Sequence, residues 1–215
     1  MGNFIVIVLF ILSTALLAFL TRVIYLVYQI FNNECKLFSE TSSLRTIMCI
    51  GSGGHTTELL RLTKNLDFTK YQPRLYILAD NDTSSEVKIH VAETDRQTYE
   101  VKKFPRSRNV LQSYTSSVFT TVKAFFHAIP IVYKFKPDLI FCNGPGTCVP
   151  ICVVAFLFRC LFIIDCRIVF IESICRVKSM SLTGKILQYF ADIIVVQWYQ
   201  LKSVCYRAQY FGRLS

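Results

Sequence analysis

The hydrophobic pattern of this 215-residue chain changes character about a fifth of the way along. From Phe4 to Leu20 every residue is apolar except Ser13 and Thr14, and after Thr21 and Arg22 the pattern continues from Val23 to Phe31. About 20 apolar residues span a bilayer, so residues 1–31 are expected to form an uncleaved transmembrane anchor. A cleaved signal peptide wants a charged start and a small-residue cleavage site. Residues 1–3 carry no side-chain charge, and Ala15 and Ala18 are not at the usual spacing. Gly2 does not open a myristoylation signal, because Val6 stands where Ser or Thr is needed.

Beyond a polar linker at 32–45 the chain alternates. Strand-like segments fall at 46–50, 74–79, 98–104, 138–142, 167–171 and 192–197. Helical patterns lie between and after them, at 56–66, 84–93, 113–134, 147–162, 180–190 and 199–206. Several strands are continuous apolar runs, as in a parallel sheet covered on both faces. Strands alternating with helices indicate right-handed βαβ units. The expected fold class is α/β: a doubly wound, Rossmann-like domain over 46–205, followed by a tail at 206–215. Residues 149–164 are apolar except for Arg159. They are short for a second span, and an arginine near the middle would be costly in lipid. A helix buried in the domain or grazing the membrane is expected there.

Composition supports the anchor: 53% of residues are hydrophobic and mean hydropathy is +0.41. Lys and Arg total 24 against 14 acids, a formal charge of +10. Such a balance suits an anionic membrane surface, a phosphate-bearing ligand or nucleic acid. No aromatic RNA-binding motif or zinc finger is present, which sets nucleic acid aside. Arg22, Lys36 and Arg45 follow the anchor and no Lys or Arg precedes it, so the domain is expected to face the cytosol. Nine cysteines, an odd count with no C-x-x-C pair, fit reduced thiols better than a disulfide framework or a zinc site. The sequon Asn81-Asp82-Thr83 is silent on the cytosolic side.

Candidate chemistry gathers at strand ends, where ligands bind in such folds. Gly51-Ser52-Gly53-Gly54-His55 follows the first strand and opens into a helix. Glycines let the backbone approach a ligand closely, and free N–H groups at the helix start favour an anion. That makes Gly51, Ser52, Gly53 and Gly54 a phosphate cradle. His55 closes it, and a helix N-terminus should keep the imidazole neutral and able to accept a proton. It could equally be a ligand contact or a helix cap. Glu58 suits the first helical turn, with its carboxylate expected to point away from any bound phosphate. Asp80, Asn81 and Asp82 follow the second strand. Asn143, Gly144, Pro145, Gly146 and Thr147 follow the fourth, as a second substrate-facing loop or a helix entry. Glu172 and Ser173 follow the fifth strand, with Glu172 as a functional acid or a partner of Arg176; Gln197 and Trp198 follow the sixth. The basic run Pro105-Arg106-Ser107-Arg108-Asn109 reads as a solvated loop that could meet lipid phosphate.

On the 51–55 loop, Pro105-Arg106-Ser107-Arg108, Pro137-Asp138-Leu139-Ile140 through Asn143-Gly144-Pro145-Gly146, Glu172-Ser173, Ser181-Leu182-Thr183-Gly184-Lys185, Val196-Gln197-Trp198 and Tyr210-Phe211-Gly212-Arg213-Leu214, the chain resembles a known family. These are the membrane-anchor subunits of the eukaryotic UDP-N-acetylglucosamine transferase that adds the second sugar to the dolichol-linked oligosaccharide. The likeness runs over most of 47–214; Tyr199 departs from it, a proline being expected after Trp198. It implies the acceptor half of a split GT-B glycosyltransferase, similar to the N-terminal half of the bacterial enzyme that glycosylates lipid I. It implies no cofactor on this chain, because UDP-N-acetylglucosamine is a co-substrate bound by a soluble catalytic partner subunit. The implied location is the cytosolic face of the endoplasmic reticulum membrane, with a dolichol-linked acceptor. Tyr210, Phe211, Gly212, Arg213 and Leu214 are implied as the partner-docking segment, and His55 and Glu172 are the catalytic candidates. No metal-ligand spacing appears in the sequence. Two other roles remain: a scaffold that only tethers the partner, and a membrane-bound NAD(P) dehydrogenase with Asp80 on the ribose. The second would need a glycine where Thr56 stands.

Overall fold

Along β1 (Thr46–Cys49) and the residue after it, Ile47 and Cys49 pack into one hydrophobic cluster while Met48 and Ile50 pack into another. That two-sided burial is what an unbroken apolar run requires, and it places helices on both faces of the sheet. The computed structural model describes residues 2–32, 43–94, 98–106, 114–144 and 146–214. Most of the predicted linker, residues 107–109 of the basic run, Pro145 and Ser215 lie outside them.

The sheet has seven parallel strands in the order β3-β2-β1-β4-β5-β6-β7. The others are β2 (Arg74–Ala79), β3 (Tyr99–Phe104), β4 (Leu139–Asn143), β5 (Arg167–Ile171), β6 (Ile193–Val196) and β7 (Gln209–Tyr210). The chain therefore turns back between β1 and β4, and the switch-point crevice lies beyond the carboxyl ends of these two strands. Helices α2 (Gly54–Thr63) and α3 (Thr83–Ala92) cover the face built from Met48, Tyr76 and Leu78. Helices α4 (Tyr114–Phe135) and α5 (Cys148–Cys160) cover the other, followed by the short α6 (Leu182–Leu187) and a 3-10 turn at Tyr199–Ser203. β3 is only partly buried, with Phe104 as its one buried residue, and carries Lys102 and Lys103. Its place at the sheet edge explains that, since charge on an edge strand discourages further pairing.

Six strands match the expected segments to within a residue or so at each end. The seventh was not foreseen: Gln209 and Tyr210 pair with Val195 and Val196, so the tail adds a strand to the sheet. Two residues are too few to show a period.

α1 (Gly2–Phe31) is a single helix of 30 residues, long and apolar enough to cross a membrane. At 1.5 Å per residue it is about 45 Å long, more than a hydrocarbon core needs. The surplus is used: Leu26 and Ile30 are buried, and Phe31 packs near Tyr206 beneath the Arg207 guanidinium. The anchor's last turns therefore belong to the domain. α5 resolves the second apolar stretch. It is a 13-residue core helix, and Arg159 is inside the protein rather than in lipid, with Nη1 donating to Asp192 Oδ1 at 2.7 Å. Asp192 in turn accepts from the Ile168 backbone N–H at 2.8 Å.

Candidate functional site

The loop after β1 reaches α2 in four residues, and α2 begins at Gly54, two residues earlier than the sequence pattern predicts. Gly53 makes the entry with φ of 65°, a conformation that a side chain resists. No side chain caps the helix, and Gly54 at its start lines the crevice. The loop is braced from behind. The Thr56 hydroxyl donates to Gly51 O and lies 2.6 Å from Ser85 Oγ, which donates to Asp82 Oδ2 at 2.7 Å. Asp82 thus caps α3 and supports the loop. Thr56, fully buried in this network, occupies the position where a dinucleotide fold would need glycine.

His55 projects from the first turn of α2 over the end of β4. Asn143 is fully buried and its amide donates to Ile171 O at 3.3 Å. That commitment turns Asn143 Oδ1 towards the imidazole, where it lies 3.1 Å from Nδ1. An acceptor there places the proton on Nδ1 and leaves Nε2 free to accept one. Gly144, with φ of 73°, closes the pocket under the ring.

Glu58 has partners that the sequence did not reveal. Its carboxylate turns back along the helix to stand 3.8 Å from His55 Nδ1. It is held there by Ser173 Oγ at 2.9 Å, the Ile174 N–H at 2.7 Å and the Gln197 amide. Burial alone would push this carboxyl up; hydrogen bonds from His55, Ile174, Ser173 and Gln197 outweigh it and bring Glu58 below its ordinary value. Glu58 raises the His55 pKa above 6.5, burial opposes, and Asn143 adds to the rise. The neighbouring carboxylate thus favours the charged form of His55, an influence beyond that of the helix terminus. The spacing was visible, because residues three apart share a helix face.

Glu172 is brought to the same strand end but faces away. It is fully buried, and its carboxylate accepts from Ser181 N at 2.8 Å and Ser181 Oγ at 3.1 Å. Burial raises its pKa, against those two bonds. Its place is under the start of α6, not in the crevice and not in an ion pair with Arg176. Ser173, its neighbour, is the residue that reaches Glu58.

The crevice encloses about 760 Å³ beside Gly54, His55 and Glu58, with Arg61 and Arg176 on its walls. Arg61 went unnoticed in the sequence because an arginine in an amphipathic helix is usually on a solvated face. Gly146 lies at the entry to α5, open at its Cβ position. In the tail, Tyr210 lies in β7 and Phe211 is exposed. Gly212 has a φ of 88°, and the Arg213 guanidinium lies 4.3 Å from the Trp198 ring centroid. The Leu214 N–H donates to Gln197 Oε1 at 3.2 Å.

Among the described residues, Cys49, Cys142 and Cys148 bring their sulfurs within 4.8 Å of one another, a proximity their sequence spacing conceals. All three are buried in the apolar core. Burial holds Cys142 and Cys148 well above the usual thiol value, so they pack there as small protonated hydrophobes.

Residues 46–214 match the family model described as "Oligosaccharide biosynthesis protein Alg14 like". Relatives named UDP-N-acetylglucosamine transferase subunit ALG14 include the Mus musculus protein, 47% identical over 182 residues, covering 80% of this chain and 83% of the relative. The Homo sapiens protein is 46% identical over 181 residues, covering 80% and 83%. That of Yarrowia lipolytica is 44% identical over 177 residues, covering 80% and 82%. Among solved structures, MurG of Acinetobacter baumannii aligns with a TM-score of 0.51 at 19% identity, over 72% of this chain and 41% of that one. The likeness to MurG is one of fold, and this chain spans about two fifths of that protein.

Proposed function

Because the chain belongs to the Alg14 family of oligosaccharide biosynthesis proteins, we propose that it is the membrane subunit of a UDP-N-acetylglucosamine transferase. The reaction is addition of the second N-acetylglucosamine to GlcNAc-pyrophosphoryl-dolichol at the cytosolic face of the endoplasmic reticulum. In this reading α1 anchors the complex, residues 46–205 form the acceptor half of a split GT-B enzyme, and a soluble partner supplies the donor half. The chain holds one Rossmann-like sheet, while a crevice between two such domains needs a second. UDP-N-acetylglucosamine is then a co-substrate on the partner, and this chain carries no cofactor or metal of its own.

The observation that carries the reading is the His55–Glu58–Asn143 cluster at the mouth of an anion-binding loop. The Gly51–Gly54 loop and the start of α2 take the acceptor's pyrophosphate, with Arg61 and Arg176 as countercharge. His55 Nε2 takes the proton of the sugar 4-hydroxyl. Its oxygen bonds to the donor's anomeric carbon as the bond to UDP breaks, with inversion. Asn143 and Glu58 hold the opposite face of the imidazole and stabilise its charge once it is protonated. Glu172 acts at one remove, by fixing the 172–174 turn that carries Ser173. Tyr210 to Leu214 form the partner-docking surface, so deleting residues 211–215 releases the partner and leaves the chain in the membrane.

The test is sugar transfer from UDP-N-acetylglucosamine to a lipid-pyrophosphate-N-acetylglucosamine by this chain, by the partner, and by the two co-purified. Activity with both only is expected. Full activity of the partner alone would reduce this chain to a scaffold.

A further inference from the structure

Glu58 accepts from three donors on two segments, Ser173–Ile174 and Gln197, and both segments lead to the C-terminal residues. Gln197, at the end of β6, is 1% exposed and uses both ends of its amide. Its Nε2 donates to Glu58 Oε1 and to Glu172 O, while its Oε1 accepts from the Leu214 N–H at 3.2 Å. The second route runs through Trp198. Its indole N–H donates to Ile174 O at 2.6 Å, and the Ile174 N–H holds Glu58 Oε1 at 2.7 Å. The Arg213 guanidinium lies over the Trp198 ring at 4.3 Å. Residues 213 and 214 thus reach both groups that orient the carboxylate behind His55. The outer surface of this region carries exposed aromatic side chains at Tyr199, Tyr206 and Phe211, the kind of surface that protein partners cover.

We infer that Gln197, 17 residues before Leu214 in sequence, is a positioning residue through which the C-terminal segment Arg213–Leu214 sets the Glu58–His55 pair, so that a protein docking on the tail also acts on that pair. A buried amide has two arrangements, with its oxygen or its nitrogen towards Glu58, and only the second gives the carboxylate a donor. The Leu214 N–H reinforces the second by taking the oxygen, together with Glu172 O, which accepts from the nitrogen. When the tail is displaced Gln197 loses the Leu214 donor, and its hold on Glu58 is loosened. The consequence for turnover rests on the reading of His55 as the base; the coupling between tail and imidazole does not.

The charged groups around His55 are Glu58 from its own helix and Arg61 and Arg176 on the crevice walls, while Glu172, turned away after β5, acts on it only at longer range. The full chain in lipid nanodiscs, labelled at its three histidines, allows each imidazole to be titrated by NMR, with assignments from single replacements. Three forms are compared: wild type, Gln197→Met, and a chain ending at Gly212. Both altered forms should move the His55 titration midpoint in the same direction, by about half a pH unit or more, while His90 and His127 stay put. If the truncated chain titrates as wild type, the relay is overturned. If Gln197→Met disturbs all three histidines, its fold has changed and the truncated chain decides alone. In the co-purified complex Gln197→Met should lower kcat about tenfold with little change in KM. A titration shift without any sugar transfer by the wild-type complex would sustain the relay and remove the proposed reaction instead.

Discussion

His55 and Gly144 are fitted to each other by the absence of a side chain. A Cβ built on Gly144 would stand 2.7 Å from His55 Cε1 and 3.0 Å from Nδ1. The imidazole can lie against Asn143 only because residue 144 presents bare backbone, and φ of 73° already disfavours any other residue there. Gly144→Ala should therefore displace the ring as well as strain the turn. A stability loss of about 1–3 kcal/mol is expected from the backbone alone, with a fall in transfer activity larger than the loss of folded protein accounts for. Thermal unfolding and turnover measured on one preparation separate the two effects.

Glu58→Gln tests the charge relation. His55 must be neutral to act as a base, and Glu58 raises its pKa above 6.5. The acid limb of kcat/KM in the wild-type complex should then lie above the ordinary imidazole value, and in Glu58→Gln it should move to lower pH with a reduced plateau. The pair also bears on stability. The raised histidine contributes fully below its unfolded value and loses that contribution as pH rises through the folded one. The lowered Glu58 contributes above its unfolded value and loses it as pH falls through the folded one. An acid limb unmoved by Glu58→Gln would separate the carboxylate from the base.

Ile30 tests how the anchor joins the domain. It lies in a helix whose first 18 described side chains are almost all exposed, yet it is 0% exposed. Ile30→Ala should cost about 2–5 kcal/mol, as a core truncation does, and lower the thermal midpoint without releasing the chain from membranes. A polar linker with an independent anchor would predict no change in midpoint.

Much of this architecture was legible because burial leaves a trace in sequence. Continuous apolar runs at 46–50 and 167–171 correspond to strands covered on both faces, and the glycine run marks the turn at the switch point. Arg159 was a useful negative sign: a charge in an apolar stretch spoke against lipid, and the fold supplies Asp192 as its partner. What escaped is what depends on long-range pairing. β7 exists because β6 offers it an edge, not because Gln209 and Tyr210 favour a strand. Glu58 and Gln197 are 139 residues apart, and no local pattern joins them. Glu172 was legible as a strand-end residue, but the direction of its carboxylate was not, since alternation along β5 does not extend into the turn that follows.

The most direct test of the proposed split site is His55→Ala in the co-purified complex, with assembly and transfer measured together. The account predicts an intact complex whose turnover falls by about 10²–10⁴, the usual contribution of a positioned base. Undiminished turnover in an intact complex would contradict it, and would leave the chain as an anchor with a phosphate loop that takes no part in the chemistry.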